Sequence, residues 1–237
     1  MDLFESIYKR KSCRKFKMEA FTDDKLAEIK AAAESFNLLF QNAPLSFRFT
    51  TDVSGMFKVD APHYLIISGS GNAGERENAG FVGQQLVLWL DAHGTGSVWL
   101  GKAKDLNKNA DGQDLITIAF GEAVESLHRE LAEFKRKPID DVTNDVNDVC
   151  IQAMHLAPSG MNIQPWYFEK TADKIVMYEQ ILKPPISLAY KNTPIDMGIA
   201  LCHCAVAYKH FDRPFAFNPN AAAPPKKGYR IFGEIEI

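Results

Sequence analysis

The amino-acid sequence predicts an α+β fold made of two duplicated halves, residues 1–140 and 141–237. Helical and strand-like patterns alternate along the chain, and their order in the first half recurs in the second. The last strand of each half ends in the same Phe-Gly-Glu triplet. The polar stretch 140–145 indicates a linker, and its acids are explained as linker and first-turn carboxylates.

The first half is predicted to begin with two helices. Asp2 is expected to cap the first, with Glu5 at the third helical position in an arrangement like a capping box. The second helix is expected to start near Thr22. Each helix places apolar residues on one face: Leu3, Phe4 and Ile7 in the first, and Leu26, Ile29, Ala33 and Phe36 in the second.

Strands and one long helix complete the first half. A helix over 78–93 is stopped by Gly94 and Gly96, because glycine readily ends helices. The predicted strands cover 47–53, 63–68, 97–100 and 115–120.

The second half is predicted to follow the same order. A helix over 146–156 ends at Ala157-Pro158. A later helix opens with Thr193 as N-cap, Pro194 in the first turn and Asp196 near it. Its apolar stripe is Ile195, Ile199, Cys202 and Val206, and the predicted strands cover 166–169, 174–178 and 229–234.

Composition narrows the class of protein. A formal net charge of −3 over 237 residues points to neither nucleic acid nor membrane, and we expect no transmembrane span or signal peptide. Four cysteines do not suggest a disulfide framework, so we expect a reducing, cytoplasmic compartment. Cys202 and Cys204 flank His203, but residues two apart do not share a helix face. We therefore expect buried thiols and no metal site.

A basic cluster, residues 10–16 (RKSCRKF), is the first candidate site. Arg10 and Arg14 are four apart, which would place them on one face of a helical backbone, and Ser12 adds a hydroxyl donor. Arginine binds phosphate in a two-pronged way. The alternative is a solvated charge run that complements the helix dipole, and the cluster by itself does not exclude it.

A second candidate segment covers residues 157–166 (APSGMNIQPW). Asn162 and Gln164 lie between two prolines in a stretch too broken to be helical. Neutral amides match the donors and acceptors along the edge of a planar flavin ring. The alternative is a helix-ending loop with a core tryptophan, which explains Pro158 and Trp166 but not the two neighbouring amides.

These segments resemble the signatures of FMN-dependent nitroreductases. Residues 10–16 are similar to the family's Arg-Arg-Ser-x-Arg-x-Phe, and residues 157–166 to its Ala-Pro-Ser-x-x-Asn-x-Gln-Pro-Trp. Residues 94–101 resemble its Gly-x-Gly-x-x-Trp-x-Gly strand and loop, and 116–121 the strand after it. Residues 136–140 resemble a late segment that carries a phosphate-binding cation. The resemblance implies a three-layer α/β/α fold whose halves are mostly antiparallel sheets flanked by helices.

The resemblance also implies roles for particular residues. The basic cluster, together with the 135–136 segment, would bind the FMN phosphate. The segment after the second-half helix would contact the flavin, and the end of the fourth strand would place backbone groups near its N5 atom. The residues concerned are Arg10, Lys11, Ser12, Arg14, Leu100, Gly101, Lys135, Arg136, Pro158, Ser159, Asn162 and Gln164. The family often has an acid at the Leu100 position, so that contact falls to the backbone here.

The two signatures are distributed unusually over this chain. In the common family pattern both lie near the N-terminus of one subunit, and FMN binds at a homodimer interface. Here residues 35–44 lack the Asn-x-Gln-Pro-Trp motif, while the second half has the motif but no basic cluster. This resembles the putative TM nitroreductase subgroup, a single-chain pseudo-dimer, and implies one FMN site per chain in a monomer or weak homodimer.

The implied activity is that of an FMN-dependent NAD(P)H oxidoreductase. NADH or NADPH would reduce FMN, and a nitroaromatic, quinone or similar small molecule would accept the electrons. FMN carries the chemistry, so no protein acid or base is assigned. Two alternatives stay open: a flavin enzyme with different chemistry, such as flavin fragmentation or dehalogenation, and a flavin-binding or flavin-storage protein with little turnover.

Overall fold

Two four-stranded antiparallel sheets and six α-helices form most of the structure, a computed structural model that describes residues 2–101, 103–106 and 113–237. The helices are α1 (Leu3–Lys9), α2 (Asp23–Ser35), α3 (Glu75–Ala92), α4 (Val149–His155), α5 (Ile186–Ala189) and α6 (Thr193–His210). The strands are β1 (Ser46–Thr50), β2 (Val53–Ser54), β3 (His63–Gly69), β4 (Gly96–Leu100), β5 (Lys104–Asp105), β6 (Gln113–Gly121), β7 (Trp166–Lys170), β8 (Lys174–Gln180), β9 (Phe217–Asn218) and β10 (Tyr229–Glu236).

The two larger sheets have the same strand order. The first is β1-β3-β6-β4 and the second β7-β8-β10-β9, with every neighbouring pair antiparallel. A separate ribbon joins β2 to β5. The predicted mixture of helices and antiparallel sheets is therefore confirmed.

Helices α3 and α6 cross at two glycines. A Cβ atom added at Gly80 would lie 2.0 Å from the backbone oxygen of Ile195, and one added at Gly198 would lie 2.0 Å from that of Glu77. Each glycine thus faces the residue three positions before the other glycine. This reciprocal contact is the pattern that a two-fold axis produces between two like subunits. Any side chain at either position would push the helices apart.

Some predicted helix starts are wrong, and each has a physical reason. Asp2 is the N-cap residue of α1, as predicted, but its side chain makes no capping bond; its carboxylate lies 2.6 Å from Nδ1 of His210 instead. Helix α3 begins at Glu75 rather than residue 78, since the Glu75 carboxylate accepts from the backbone N–H groups of Ser70 and Gly71. The N-cap of α6 is Asn192, and Thr193 is its first helical residue.

The start of α2 agrees with the sequence, whereas that of α4 does not. Thr22 caps α2 and accepts from the Lys25 N–H. Helix α4 is shorter than predicted, because the Asp148 carboxylate caps it by accepting from the N–H groups of Cys150 and Ile151. The short elements α5, β2, β5 and β9 were not predicted, since two- to four-residue elements leave no periodic pattern.

His203 is a buried, hydrogen-bonded core residue. Its Nδ1 lies 2.8 Å from the Ala153 carbonyl, and its Nε2 lies 2.9 Å from the Gln84 amide nitrogen. Burial lowers the pKa of His203 to about 3, so the ring is neutral. The thiols of Cys202 and Cys204 are buried as predicted. Among the described residues, no three His, Cys, Asp or Glu side chains are grouped as a metal site.

Candidate cofactor site

The basic cluster leaves the helix before its first arginine. Helix α1 ends at Lys9, and Arg10 has extended backbone angles. The chain then runs beside residues 122–129, with the N–H of Lys11 donating to the Leu127 carbonyl at 3.0 Å. The helical arrangement of Arg10 and Arg14 is therefore wrong: Arg10 is only 3% exposed, whereas Arg14 lies at the surface.

The pairing of these two segments brings a third arginine to the site. The backbone N–H of Arg129 donates to the Lys9 carbonyl at 2.9 Å, and Arg10 forms a backbone bridge to His128. The Arg129 guanidinium lies 3.6 Å above the centre of the Phe134 ring. Sequence reasoning missed Arg129, because only a long-range strand pairing places it beside Arg10.

Three arginines, Arg10, Arg129 and Arg136, form a cationic cluster that is short of negative charge. Burial, together with the charge of Arg129, lowers the pKa of Arg10 to about 10. Burial also lowers the pKa of Arg136 to about 10, with Arg129 and Arg10 acting in the same direction. The negative charge of Asp91 acts in the opposite direction and raises the pKa of Arg10 in part. Within the described chain, none of the three arginines forms an ion pair within 4.0 Å.

Buried donors in this cluster lack acceptors. The Nε atoms of Arg129 and Arg136 are buried and have no hydrogen-bond partner in the described structure. Within the described residues, the one side-chain hydrogen bond of Arg10 runs to Ser12 Oγ at 3.4 Å, near the geometric limit. An unsatisfied buried donor costs about 1–3 kcal/mol, more if charged. These residues therefore fit a phosphate group, which would supply both negative charge and acceptor oxygens.

Arg136 connects this cluster to the second candidate segment. Its Nη1 donates to Asn162 Oδ1 at 3.1 Å, and its Nη2 donates to the Leu156 carbonyl at 2.9 Å. The Asn162 amide in turn donates to the Lys135 carbonyl at 2.8 Å. The structure thus brings together Arg10, Arg136 and Asn162, which lie far apart in the sequence.

Residues 158–164, here called the cofactor loop, have an unusual backbone. Met161, Asn162 and Gln164 have φ angles of 53°, 55° and 51°, in the left-handed region that side chains disfavour. Such conformations persist only where surrounding contacts enforce them, and they often occur at functional sites. Ser159 Oγ provides one such contact by accepting from the Gln164 N–H at 2.8 Å.

The Gln164 side chain supports the loop from inside. It is 2% exposed, and its Oε1 accepts from the Lys137 N–H at 2.8 Å. Its Nε2 donates to the Asn162 carbonyl at 3.2 Å. The Asn162 side chain is exposed and Pro158 half-buried, so these two lie nearer the loop surface than Gln164 does.

Asp196 anchors the other end of the cofactor loop. Its Oδ1 accepts from the Gly160 N–H at 3.0 Å, and its Oδ2 accepts from the Tyr190 hydroxyl at 2.7 Å. The carboxyl is 2% exposed, and burial raises its pKa to about 7 despite these two bonds. The sequence placed Asp196 near the start of a helix but gave no sign that it contacts the loop.

Leu100 and Gly101 lie at the far end of β4 from the basic cluster. The backbone N–H of Cys13 donates to the Ser97 carbonyl at 2.9 Å near the start of that strand. At its end, the Asn192 amide approaches the Gly101 carbonyl at 3.5 Å, and Arg76 donates to Asn192 Oδ1 at 2.6 Å. Strand β4 therefore runs from the cluster to the first turn of α6, which carries Asp196.

The remaining predicted residues have fewer contacts. The side chains of Lys11, Arg14 and Lys135 make no hydrogen bond or ion pair within the described residues. Lys15 pairs instead with Glu125 at 2.7 Å, and Lys17 pairs with Glu122. These two outer lysines match the alternative of solvated surface charge, whereas Arg10 does not.

Residues 2–208 match a protein-family model described as Putative TM nitroreductase. The chain belongs to this nitroreductase family. Nitroreductases are oxidoreductases, so the general class of activity of this chain is that of an oxidoreductase. No curated protein matches the chain by sequence.

Several solved structures are similar to this nitroreductase, and the first described below shares its fold over nearly the whole chain. A putative nitroreductase from Thermotoga maritima has 24% identity and a TM-score of 0.69, covering 99% of this chain and 93% of its own. A nitroreductase family protein from Clostridium difficile 630 has 15% identity and a TM-score of 0.47, over 63% of this chain and 100% of its own. An FMN-dependent nitroreductase from Clostridium difficile R20291 has 19% identity and a TM-score of 0.40, over 53% and 88%.

Across the described residues, no helix of this nitroreductase is both long and apolar enough to span a bilayer.

The raised pKa of Asp196 predicts a pH dependence of stability. An ordinary aspartic acid has a pKa near 3.9, so between about pH 4 and pH 7 the unfolded chain is ionised at this position while the folded protein keeps the proton. The stability that Asp196 contributes is present below about pH 4 and is lost as the pH rises to about 7. Over that range it changes by a few kcal/mol, at about 1.4 kcal/mol for each pH unit.

Urea unfolding of the wild type and of Asp196→Asn between pH 4 and pH 8 measures this effect. The wild type should lose stability relative to the variant as the pH rises. Parallel pH profiles for the two proteins would contradict the assignment.

Proposed function

We propose that this nitroreductase is an FMN-dependent NAD(P)H oxidoreductase that passes electrons through FMN to nitroaromatic, quinone or similar small-molecule acceptors. The observation that carries the proposal is the cluster of Arg10, Arg129 and Arg136. Arg10 is buried and the other two are half-buried, the cluster is short of carboxylates, and Arg136 joins it to Asn162. A phosphate monoester would satisfy its unpartnered donors. The likeness of residues 10–16 and 157–166 to the family signatures supports FMN as its bearer.

In this proposal the cofactor would lie across both halves. Arg10, Ser12, Arg129 and Arg136 would hold the phosphate, with Lys11, Arg14 and Lys135 adding charge at the rim. Pro158, Ser159 and Asn162 would border the ring, Gln164 would support them, and the backbone of Leu100 and Gly101 would face it. FMN, when bound, supplies the hydride chemistry, while the protein binds and orients it.

We further propose that residues 1–140 and 141–237 act as the two subunits of a fused pseudo-dimer with one FMN site. The shared strand order of the two sheets and the reciprocal contacts of Gly80 and Gly198 support this. A chain that contains both halves of the interface can act as a monomer or a weak homodimer.

The proposed setting is the cytoplasm, with NADH or NADPH as reductant and a small molecule as acceptor. All four cysteines are buried and free, in keeping with a reducing compartment. The net charge of −3 favours no polyanionic partner.

Anaerobic reduction tests the proposed activity. The purified protein, loaded with FMN, should lose its oxidised flavin absorbance when NADH or NADPH is added, and regain it with a quinone or nitroaromatic acceptor. Dithionite serves as the control that the bound flavin can be reduced. Reduction by dithionite but by neither nicotinamide would contradict the oxidoreductase proposal and favour flavin storage.

Arg129→Ala tests the phosphate site. Loss of one charged hydrogen bond, about 1.5–3 kcal/mol, should weaken FMN binding about 10- to 100-fold, as measured by fluorescence titration. Arg213→Ala is the matched control, because Arg213 lies over the Tyr208 ring at 4.4 Å just as Arg129 lies over Phe134. Equal FMN affinity in wild type and Arg129→Ala would exclude Arg129 from the site.

A further inference from the structure

Two buried polar residues occupy corresponding positions on the crossing helices. Asn78 lies two residues before Gly80 on α3, and Asp196 lies two residues before Gly198 on α6. Since the two glycines contact the opposite helix reciprocally, Asn78 and Asp196 stand in equivalent places relative to the crossing. Both are almost fully buried, and each contacts the segment that precedes the first strand of one four-stranded sheet.

Asn78 closes the segment that follows α2. Its Oδ1 accepts from the N–H groups of Leu39 and Phe40, each at 2.9 Å. Its Nδ2 donates to the carbonyls of Phe40 and Ala43, each at 2.8 Å. The carboxamide thus ties both the donors and the acceptors of this segment to the helix. No polar group of Asn78 is left for anything else.

Asp196 holds the cofactor loop in a different way. In the structure both carboxyl oxygens of Asp196 act as acceptors, so its hydrogen bonds come from N–H and O–H groups. It binds the Gly160 N–H and the Tyr190 hydroxyl. Asp196 therefore contacts the loop backbone at one point, the Gly160 N–H, and binds none of the loop's carbonyl groups.

Tyr190 completes this anchor and explains the glycine. A Cβ atom added at Gly160 would lie 2.2 Å from the Tyr190 hydroxyl oxygen, so the tyrosine occupies the space that a side chain would need. Tyr190 itself is fixed by its bond to Asp196 at 2.7 Å. The side chains of Asp196 and Tyr190 therefore pack together against Gly160. Gly160 lies two residues before Asn162 in the loop.

We propose that Asp196 is the positioning residue of the cofactor loop. Through Gly160 and Tyr190 it sets the left-handed backbone of residues 158–164, which in turn brings Asn162 to Arg136. Asn78, at the equivalent position of α3, closes its segment instead and serves no ligand. This inference rests on the proposed function only in taking FMN as the ligand of the loop.

Four variants test the proposal in two measurements: FMN affinity, and hydrogen exchange of residues 158–164 in the FMN-free protein. Asp196→Ala removes both acceptors and should weaken FMN binding and speed loop exchange at least about tenfold each. Asp196→Asn should stay within about threefold of wild type in both, because its amide can accept from Gly160 and donate to the Tyr190 hydroxyl. Tyr190→Phe removes one bond and should weaken FMN binding by about three- to tenfold.

Asn78→Ala is the matched control. It removes four hydrogen bonds at the equivalent helix position, so exchange should quicken at residues 38–43. Its FMN affinity should stay within about threefold of wild type. If Asn78→Ala and Asp196→Ala lose the same FMN affinity, the loss comes from general destabilisation of the protein. That result would overturn the proposal.

The outcomes separate this inference from the proposed function. A wild type that does not bind FMN would contradict the proposed function, while loop exchange in the FMN-free variants would still test the role of Asp196. A wild type that binds FMN, with unchanged affinity and loop exchange in Asp196→Ala, would overturn the inference alone. If Asp196→Ala fails to fold, unchanged affinity and exchange in Tyr190→Phe would overturn it. If Asp196→Asn binds FMN as weakly as Asp196→Ala does, the hydrogen bonds to Gly160 and Tyr190 do not position the loop, and the proposal is overturned.

Discussion

The close crossing of α3 and α6 positions the two parts of the candidate site. Backbone meets backbone at Gly80 and Gly198, so neither helix can rotate or slide without a clash. Helix α3 carries Asp91 toward Arg10 at its C-terminal end, and α6 carries Asp196 to the cofactor loop at its N-terminal end. The crossing thereby fixes the distance between the two parts of the candidate site, which come from opposite halves of the chain.

The arginine cluster locally lowers the stability of the fold. Burying cations without carboxylate partners is unfavourable, and the lowered pKa values of Arg10, Arg129 and Arg136 reflect that. Departures from good local energetics occur mainly at functional sites, where a ligand provides the missing interactions. Arginine suits this role better than lysine, because its guanidinium stays charged even with a pKa near 10 and binds phosphate with two donors.

Local patterns in the sequence predicted much of the fold. The main helices and strands, the repeated order and the break at Ala157-Pro158 all follow from periodicity and from proline and glycine chemistry. What failed were features decided by individual side-chain contacts rather than by periodicity. Asp2 had the sequence of a capping residue, but His210 takes its carboxylate. Glu75 moved the start of α3 because its carboxylate binds a preceding turn.

Prediction of the candidate site from the sequence was limited in the same way. Arg10, Arg136 and Asn162 were found because they lie in recognisable segments, and the structure brings them together. Arg129 belongs to no such segment and reaches the site through a strand pairing with residues over a hundred positions away. Asp196 was visible only as a residue of a helix start, since its contacts with Gly160 and Tyr190 depend on how the cofactor loop packs against α6.

Calorimetric titration of the purified, flavin-free chain with FMN is the sharpest test of the proposed pseudo-dimer, which would have one FMN site. Saturation at one FMN per chain is expected. Two FMN per chain, or no binding, would overturn the proposal.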